Sequence, residues 1–367
     1  MWSLPDIKTM NAEAVKNVKR TPKEIYAALD EYVIGQNEAK MALSVAVHRH
    51  YHQLLTPNCK ISPANILLIG PTGVGKTHLV RTLADILQVP VAFVSANDYS
   101  ETGYIGRSVG DMVRELYLKA SENRGAAEHG IIFIDEIDKL AANSYCSSDR
   151  DVSGRSVQEE LLDLLESGGL RKFSCGFNLK EEVELDASKI LFIAAGAFDG
   201  LNQAVREKHR RKSAIGFSLA EAGAVLPESV GFSIEPADLD DYGLIPELLG
   251  RFSVICSLVP LSRNDLVRIM VEPEDSILKE YQEYLHSFGV EIKFQKRALE
   301  MVAEIAQERN TGARGLRSVL EKVLQPYFFG LEDNQQMNSR IIIDEKTVQL
   351  RLRHVHHAIA SSFSLGS

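Results

Sequence analysis

The chain has 367 residues, 45% of them hydrophobic and 25% charged, with a formal net charge of -9. That length exceeds one typical core and that composition excludes a chain disordered throughout, so a large domain and a smaller one are expected. The acidic balance argues against a mainly electrostatic grip on nucleic acid, no apolar run approaches the roughly 20 residues of a membrane span, and Cys59, Cys146, Cys175 and Cys256 form no C-x-x-C pair of the kind that holds zinc.

Residues 1–20 are polar and aperiodic and read as a tail or a short helix before the first domain, without the apolar core of a signal peptide, so a cytoplasmic location is expected. "TPKEIYAALDEY" then offers Thr21 as an N-cap, Pro22 at the first helical position and Glu24 three residues after the cap. The helix is expected to end near Tyr32, with Gly35 of "YVIGQ" marking a turn.

"ANILLIG" is a short apolar strand that runs into "GPTGVGKT", and "KTHLVRTLADIL" continues with helical spacing of Leu79, Leu83 and Ile86. Strand, glycine-rich turn and helix together fit G-x-x-x-x-G-K-[ST] in the context that motif requires. Gly70, Pro71, Thr72, Gly73, Val74, Gly75, Lys76, Thr77 and His78 are therefore candidate nucleotide-binding residues. Backbone N–H groups at the glycines and the helix N-terminus suit phosphate, Lys76 suits the β- and γ-phosphates of ATP, and Thr77 suits Mg2+.

"VPVAFVSA" is a second strand, and "ETGYIGRSVG" follows it. The latter holds Tyr104 and Ile105 between Gly103 and Gly106, and by itself reads as a tight turn with a packed tyrosine. "IIFIDEIDK" is an apolar strand carrying Asp135 and Glu136 at its carboxyl end, where parallel sheets bind ligands. Asp135 suits the Mg2+ shell, and Glu136 suits orienting the water that attacks the terminal phosphate.

"SVQEELLDLLES" is a helix, and "SKILFIAAGAF" a further strand that ends in Ala194, Ala195 and Gly196. The basic run "REKHRRK", Arg206 to Lys212, reads as a solvated loop or helix face, followed by Ile215, Gly216 and Phe217 in a loop. From about Pro260 the pattern turns helical, with a short strand at "VEIKF" that "RIIID" is expected to pair with. The expected fold class is α/β, a P-loop large domain whose parallel sheet lies between helices, followed by a smaller, mostly helical domain. The divisions read as a tail over 1–20, a large domain over 21–257, a small domain over 258–350 and a tail over 351–367.

"YVIGQ", "GPTGVGKT", "IDEIDK", "LIPELLGR" and "TGARGLRS", in that order, resemble the ClpX-like AAA+ ATPases of the Clp/HSP100 group over roughly Thr21 to Gln325. The resemblance implies an ATP-driven unfoldase that passes proteins to a ClpP-type peptidase, with a peptidase-independent remodelling chaperone as the alternative. It implies that Val33 and Ile34 line the adenine pocket, that Arg251 is an arginine finger reaching a neighbouring subunit's nucleotide, and that Arg314 contacts nucleotide from the small domain. Such fingers contribute about 10³ to 10⁵ in rate. A finger acting between subunits requires a ring, and the resemblance implies that the ring is a homohexamer.

The same resemblance implies that Tyr104 and Ile105 grip substrate in a central pore, that a second pore loop lies within 143–154, and that Ile215, Gly216 and Phe217 dock a peptidase. Protein substrates are implied, with no nucleic acid, membrane or zinc. The sequence departs from the family in four places: it is expected to lack the N-terminal zinc-binding domain, it carries Phe173 in "LRKFSC" where a histidine-bearing pore-entrance loop is expected, its strand "KILFI" ends in Ala194, Ala195 and Gly196 where a polar residue is expected, and it has Arg107 after "GYIG" in place of an acidic residue.

Overall fold

The structure, a computed structural model, describes residues 17–56, 64–99, 107–141, 152–166, 170–175, 181–216, 234–309, 311–331 and 339–352. Tyr104, Ile105, Phe217 and most of the 143–154 segment lie outside them.

In chain order the main elements are α1 (Pro22–Tyr32), α2 (Asn37–Leu55), β1 (Asn65–Ile69), α3 (Lys76–Leu87), β2 (Val91–Ser95), α4 (Gly110–Lys119), α5 (Arg124–Glu128) and β3 (Ile131–Asp135). They continue with α6 (Val152–Glu166), β4 (Leu170–Cys175), β5 (Glu181–Asp186), β6 (Leu191–Gly196), α7 (Leu201–Gly216), α8 (Pro236–Tyr242), α9 (Pro246–Leu249) and β7 (Phe252–Ser257). The last are α10 (Arg263–Val271), α11 (Ile277–His286), β8 (Val290–Phe294), α12 (Lys296–Glu308), α13 (Gly312–Phe329) and β9 (Ser339–Ile343).

Contacts group the chain into two units, Met1–Ala27 with Asn37–Pro71 and Lys76–Leu258, and Ala28–Gln36 with Thr72–Gly75 and Val259–Ser367. The first is built on a parallel sheet of five strands in the order β2-β3-β6-β1-β7. Composition explains the order. The three inner strands are the continuous apolar runs, with β1 and β6 buried at every residue and β3 buried up to Asp135. The edge strands are only partly buried, β2 at Ala92 and Val94 and β7 at Phe252 and Cys256. Strands covered on both faces must be apolar throughout, whereas an edge strand tolerates half-exposed positions.

Helices flank this sheet, α2 against β1 and β7, α4 against β2 and β3. The start of α1 carries the capping box read from sequence: the Thr21 backbone N–H donates to Glu24 Oε2 at 2.7 Å and the Glu24 N–H to Thr21 Oγ1 at 3.3 Å.

The second unit packs α10 to α13 around a core that includes Leu299, Val302, Ala303 and Ala306 of α12 and Leu316, Val319, Leu320 and Val323 of α13. Those positions recur at three- and four-residue spacing, the stripe of an amphipathic helix. The strands expected at "VEIKF" and "RIIID" form and pair in parallel, Ile292 opposite Ile341. The α/β class with a helical C-terminal portion is therefore the fold adopted. Among the described residues no helix is long and apolar enough to cross a membrane.

Two expectations need correction. "LRKFSC" is not a loop but strand β4, which pairs antiparallel with β5 so that Phe173 faces Val183. Phe173 packs edge-on against Tyr117 at 5.6 Å between ring centres, which commits an aromatic side chain to the core that a solvated loop would expose. Ile215 and Gly216 do not sit in a loop either, because α7 runs unbroken through the basic run to Gly216.

Candidate active site

In the first unit the candidate residues gather at the carboxyl ends of β1 and β3. The turn after β1 brings Lys76 to the first position of α3, where its buried side chain curls back so that Nζ donates to the carbonyls of Gly70 at 2.5 Å and Pro71 at 3.1 Å. A primary ammonium held on neutral carbonyls keeps its charge available to a better acceptor such as a phosphate oxygen. The Gly70 N–H in turn donates to Gly196 O at 3.2 Å, so the end of β6 braces the turn.

Thr77 Oγ1 donates to Asp135 Oδ2 at 3.0 Å. A hydroxyl and a carboxylate oxygen at this separation are the hard donors that a divalent cation such as Mg2+ takes, so the residues present fit that ion. The second oxygen of Asp135 accepts the Glu136 N–H at 2.9 Å. Glu136 is exposed and left-handed, with φ +59, a conformation disfavoured for a residue bearing a Cβ. It turns the carboxylate back over β2, where Oε2 accepts from Asn97 Nδ2 at 2.7 Å and Ser95 Oγ at 3.1 Å.

Two residues in this cluster were quoted in sequence motifs without a role, or not singled out. Asn97 is one. Asp138 of "IDEIDK" is the other: it is buried and accepts the N–H groups of Ala197 at 3.2 Å and Phe198 at 3.4 Å. It thereby fixes the chain just past β6, the strand in which Ala194 and Ala195 are wholly buried. The spacing of Asp138 after Glu136 is visible in sequence, but its partners come from the segment just past β6, about 60 residues away.

Arg251 stands apart from this group. It lies between α9 and β7, half exposed, and its guanidinium pairs with Glu166 at the end of α6. Its backbone carbonyl accepts from Asn65 Nδ2 at 3.3 Å, which ties the turn to β1. Near the predicted substrate loop, Tyr99 and Arg107 form a parallel bridge, and Arg107 pairs with Glu115 of α4 at 3.1 Å. Burial pushes the Tyr99 hydroxyl up to about 12.

In the second unit Val33 and Ile34 are buried, and the glutamine of "YVIGQ" explains the turn that follows them. Gln36 Nε2 donates to Val259 O at 2.8 Å and its Oε1 accepts the Val259 N–H at 3.0 Å, so one side chain imitates a strand partner. Gly73 and Gly312 approach too closely for any side chain. A Cβ on Gly73 would lie 2.4 Å from Thr311 O, and one on Gly312 would lie 2.7 Å from Gly73 O. The Ala313 N–H donates to Gly73 O at 3.0 Å. Arg314 follows on the first turn of α13 and is exposed. His78, on α3 of the first unit, is likewise exposed.

Comparison with known proteins gives the same picture over most of the chain. The family model described as "AAA domain (Cdc48 subfamily)" matches residues 62–255, and that described as the C-terminal, D2-small domain of ClpB protein matches residues 261–331. The ATP-dependent Clp protease ATP-binding subunit ClpX of Treponema denticola is 41% identical over 325 residues, 84% of this chain and 77% of the relative. The protein of the same description from Borrelia duttonii is 38% identical over 341 residues, 89% of this chain and 78% of the relative. That from Bacteroides thetaiotaomicron is 37% identical over 345 residues, 91% and 83% respectively.

Proposed function

The chain belongs to the ClpX family of AAA+ ATPases, and on that premise we propose that it uses ATP hydrolysis to unfold proteins and pass them to a ClpP-type peptidase. The observation that carries the reading is the cluster of Lys76, Thr77, Asp135 and Glu136, a phosphate-binding cation, two hard-cation donors and a carboxylate that two donors hold in place.

Lys76 transfers its ammonium from the carbonyls of Gly70 and Pro71 to the β- and γ-phosphate oxygens of ATP, and the N–H groups of the 70–78 segment hold the remaining phosphate oxygens. Thr77 and Asp135 would hold Mg2+, which when bound would neutralise the charge that develops on the transferring phosphoryl group. Glu136 orients the attacking water and accepts its proton at a carboxylate oxygen. Val33, Ile34 and Arg314 contact the nucleotide. Arg251 leaves Glu166 to act as a finger on the nucleotide of the neighbouring subunit, which requires a homohexameric ring.

Tyr104 and Ile105 grip the polypeptide in the pore, Ile215, Gly216 and Phe217 dock the peptidase, and the assembly works in the cytoplasm on protein rather than nucleic acid. Replacing Tyr104 with Ala is expected to leave ATP hydrolysis in place and to abolish unfolding of a stable reporter. Loss of both activities together would make Tyr104 a structural residue and remove it from the pore.

A further inference from the structure

Helix α2 carries three histidines in its second half, His48, His50 and His52, and they divide between two faces. His50 turns inward, buried with its Nε2 3.1 Å from the Lys189 carbonyl. His48 and His52, four residues apart, share the outer face, on which Met41 and Val45 are also exposed. Their ring centres lie 5.9 Å apart with the planes inclined at 43°. Two imidazoles that share one metal ion, each nitrogen about 2.0–2.1 Å from it, have ring centres roughly 5–6 Å apart, so little movement brings this pair onto one ion.

The hydrogen bonding of His48 points the same way. Its Nδ1 lies 3.0 Å from Arg20 O. A carbonyl only accepts, so Nδ1 carries the proton and donates it, and in the neutral ring the lone pair falls on Nε2. One ring nitrogen held by a backbone carbonyl and the other left to coordinate is the arrangement of a metal-binding histidine. His52 is exposed in the last turn of α2, where its ring can turn towards an ion and where the negative end of the helix dipole favours a cation.

We propose that His48 and His52 form a surface site for a borderline divalent transition metal ion, of the Ni2+ or Zn2+ kind, with water completing the shell. Among the described residues no group of three or more His, Cys, Asp or Glu side chains gathers to hold a metal ion, so this is an open two-ligand site that exchanges its ion rather than a closed structural centre. Its donors are imidazoles alone, which separates it from Thr77 and Asp135, whose oxygens suit Mg2+. The consequence is local. Arg20 immediately precedes Thr21, which caps α1, and coordination at Nε2 polarises the ring and strengthens the Nδ1–H bond to the Arg20 carbonyl. The ion therefore braces the start of α1 against α2, and by binding the folded chain it stabilises it.

The test titrates Ni2+ calorimetrically into the full chain in excess Mg2+, for the parent, His48→Gln and His52→Ala, and measures melting temperature with and without Ni2+. Binding elsewhere, at Thr77 and Asp135 included, is common to all three proteins and cancels in the comparison. The parent is expected to show a Ni2+ site that each substitution weakens roughly tenfold or more, at least the loss that removing an outer partner of a metal ligand causes. Ni2+ is expected to raise the melting temperature of the parent and not that of either variant. His52→Ala should melt with the parent when no metal is present, because the ring it removes is exposed. Equal Ni2+ affinity in the parent and His52→Ala would overturn the proposal and leave His48 as a brace on the Arg20 carbonyl alone. A loss confined to His48→Gln would overturn it too, since the ion would then sit on a single histidine. Should His52→Ala melt lower without metal, His52→Gln takes its place in the titration and the same outcomes decide.

Discussion

The side-chain amide of Asn97 donates to Glu136 Oε2 at 2.7 Å, and Ser95 donates to the same oxygen at 3.1 Å. The carboxylate proposed to polarise water is thus aimed by the residues at and just beyond the end of β2, from a strand other than its own.

Asn97→Ala is expected to lower kcat for ATP about tenfold with little change in nucleotide affinity, because a misdirected base loses rate while the phosphate contacts remain. Glu136→Gln is expected to cost about 100-fold or more by the same measurement, steady-state ATPase assays alongside nucleotide binding. An unchanged kcat in Asn97→Ala would show that the hydrogen bond does not aim the base.

Gln36 is 6% exposed and satisfies both backbone groups of Val259. Gln36→Ala removes both hydrogen bonds to Val259, a residue that is itself exposed, so a loss of about 0.5–1.5 kcal/mol per bond is expected in chemical denaturation. Gln36→Glu replaces one donor with an acceptor facing the Val259 carbonyl and is expected to be at least as damaging. A denaturation midpoint equal to the parent's in both variants would contradict this role for the glutamine.

His50 is buried on α2, its Nε2 3.1 Å from the Lys189 carbonyl and its ring edge-on to Tyr51. Burial lowers its pKa from 6.5 to about 4, with His129 nearby adding to the shift. The folded state therefore binds this proton less readily than the unfolded state does. The stability contribution is full above pH 6.5 and is lost as pH falls from there to about 4, by about 3 kcal/mol at most. Carboxylates also titrate towards the acid end, so the test compares slopes. Melting midpoints of His50→Gln should fall less steeply than the parent's between pH 6.5 and 4, and equal slopes would contradict the assignment.

How much of this was legible in the sequence follows from where each interaction is encoded. The phosphate turn, Asp135 with Glu136, and the capping box of Thr21 and Glu24 are local, each specified by residues within a few positions, and the apolar runs of β1, β3 and β6 read directly as strands of a covered parallel sheet. Asn97, Asp138 and Gln36 act on partners 39 to 223 residues away, which no local pattern reveals. The β4 and β5 hairpin was hidden for a related reason: Phe173 is committed by Tyr117 of α4 and by Val183 across the ladder, not by its neighbours in "LRKFSC". The basic run masked the length of α7, since a stretch of like charges reads as solvated whether it is a loop or a helix.

The central claim is that ATP turnover at Lys76, Asp135 and Glu136 drives unfolding for a peptidase. Degradation of a stably folded, tagged reporter tests it most directly, assayed with and without ATP and with and without a ClpP-type peptidase, in the parent and in Glu136→Gln. The account predicts degradation only when ATP, peptidase and an intact Glu136 are all present, and loss of reporter fold without degradation when the peptidase alone is omitted. A reporter that stays folded while ATP is turned over at the parent rate would contradict it.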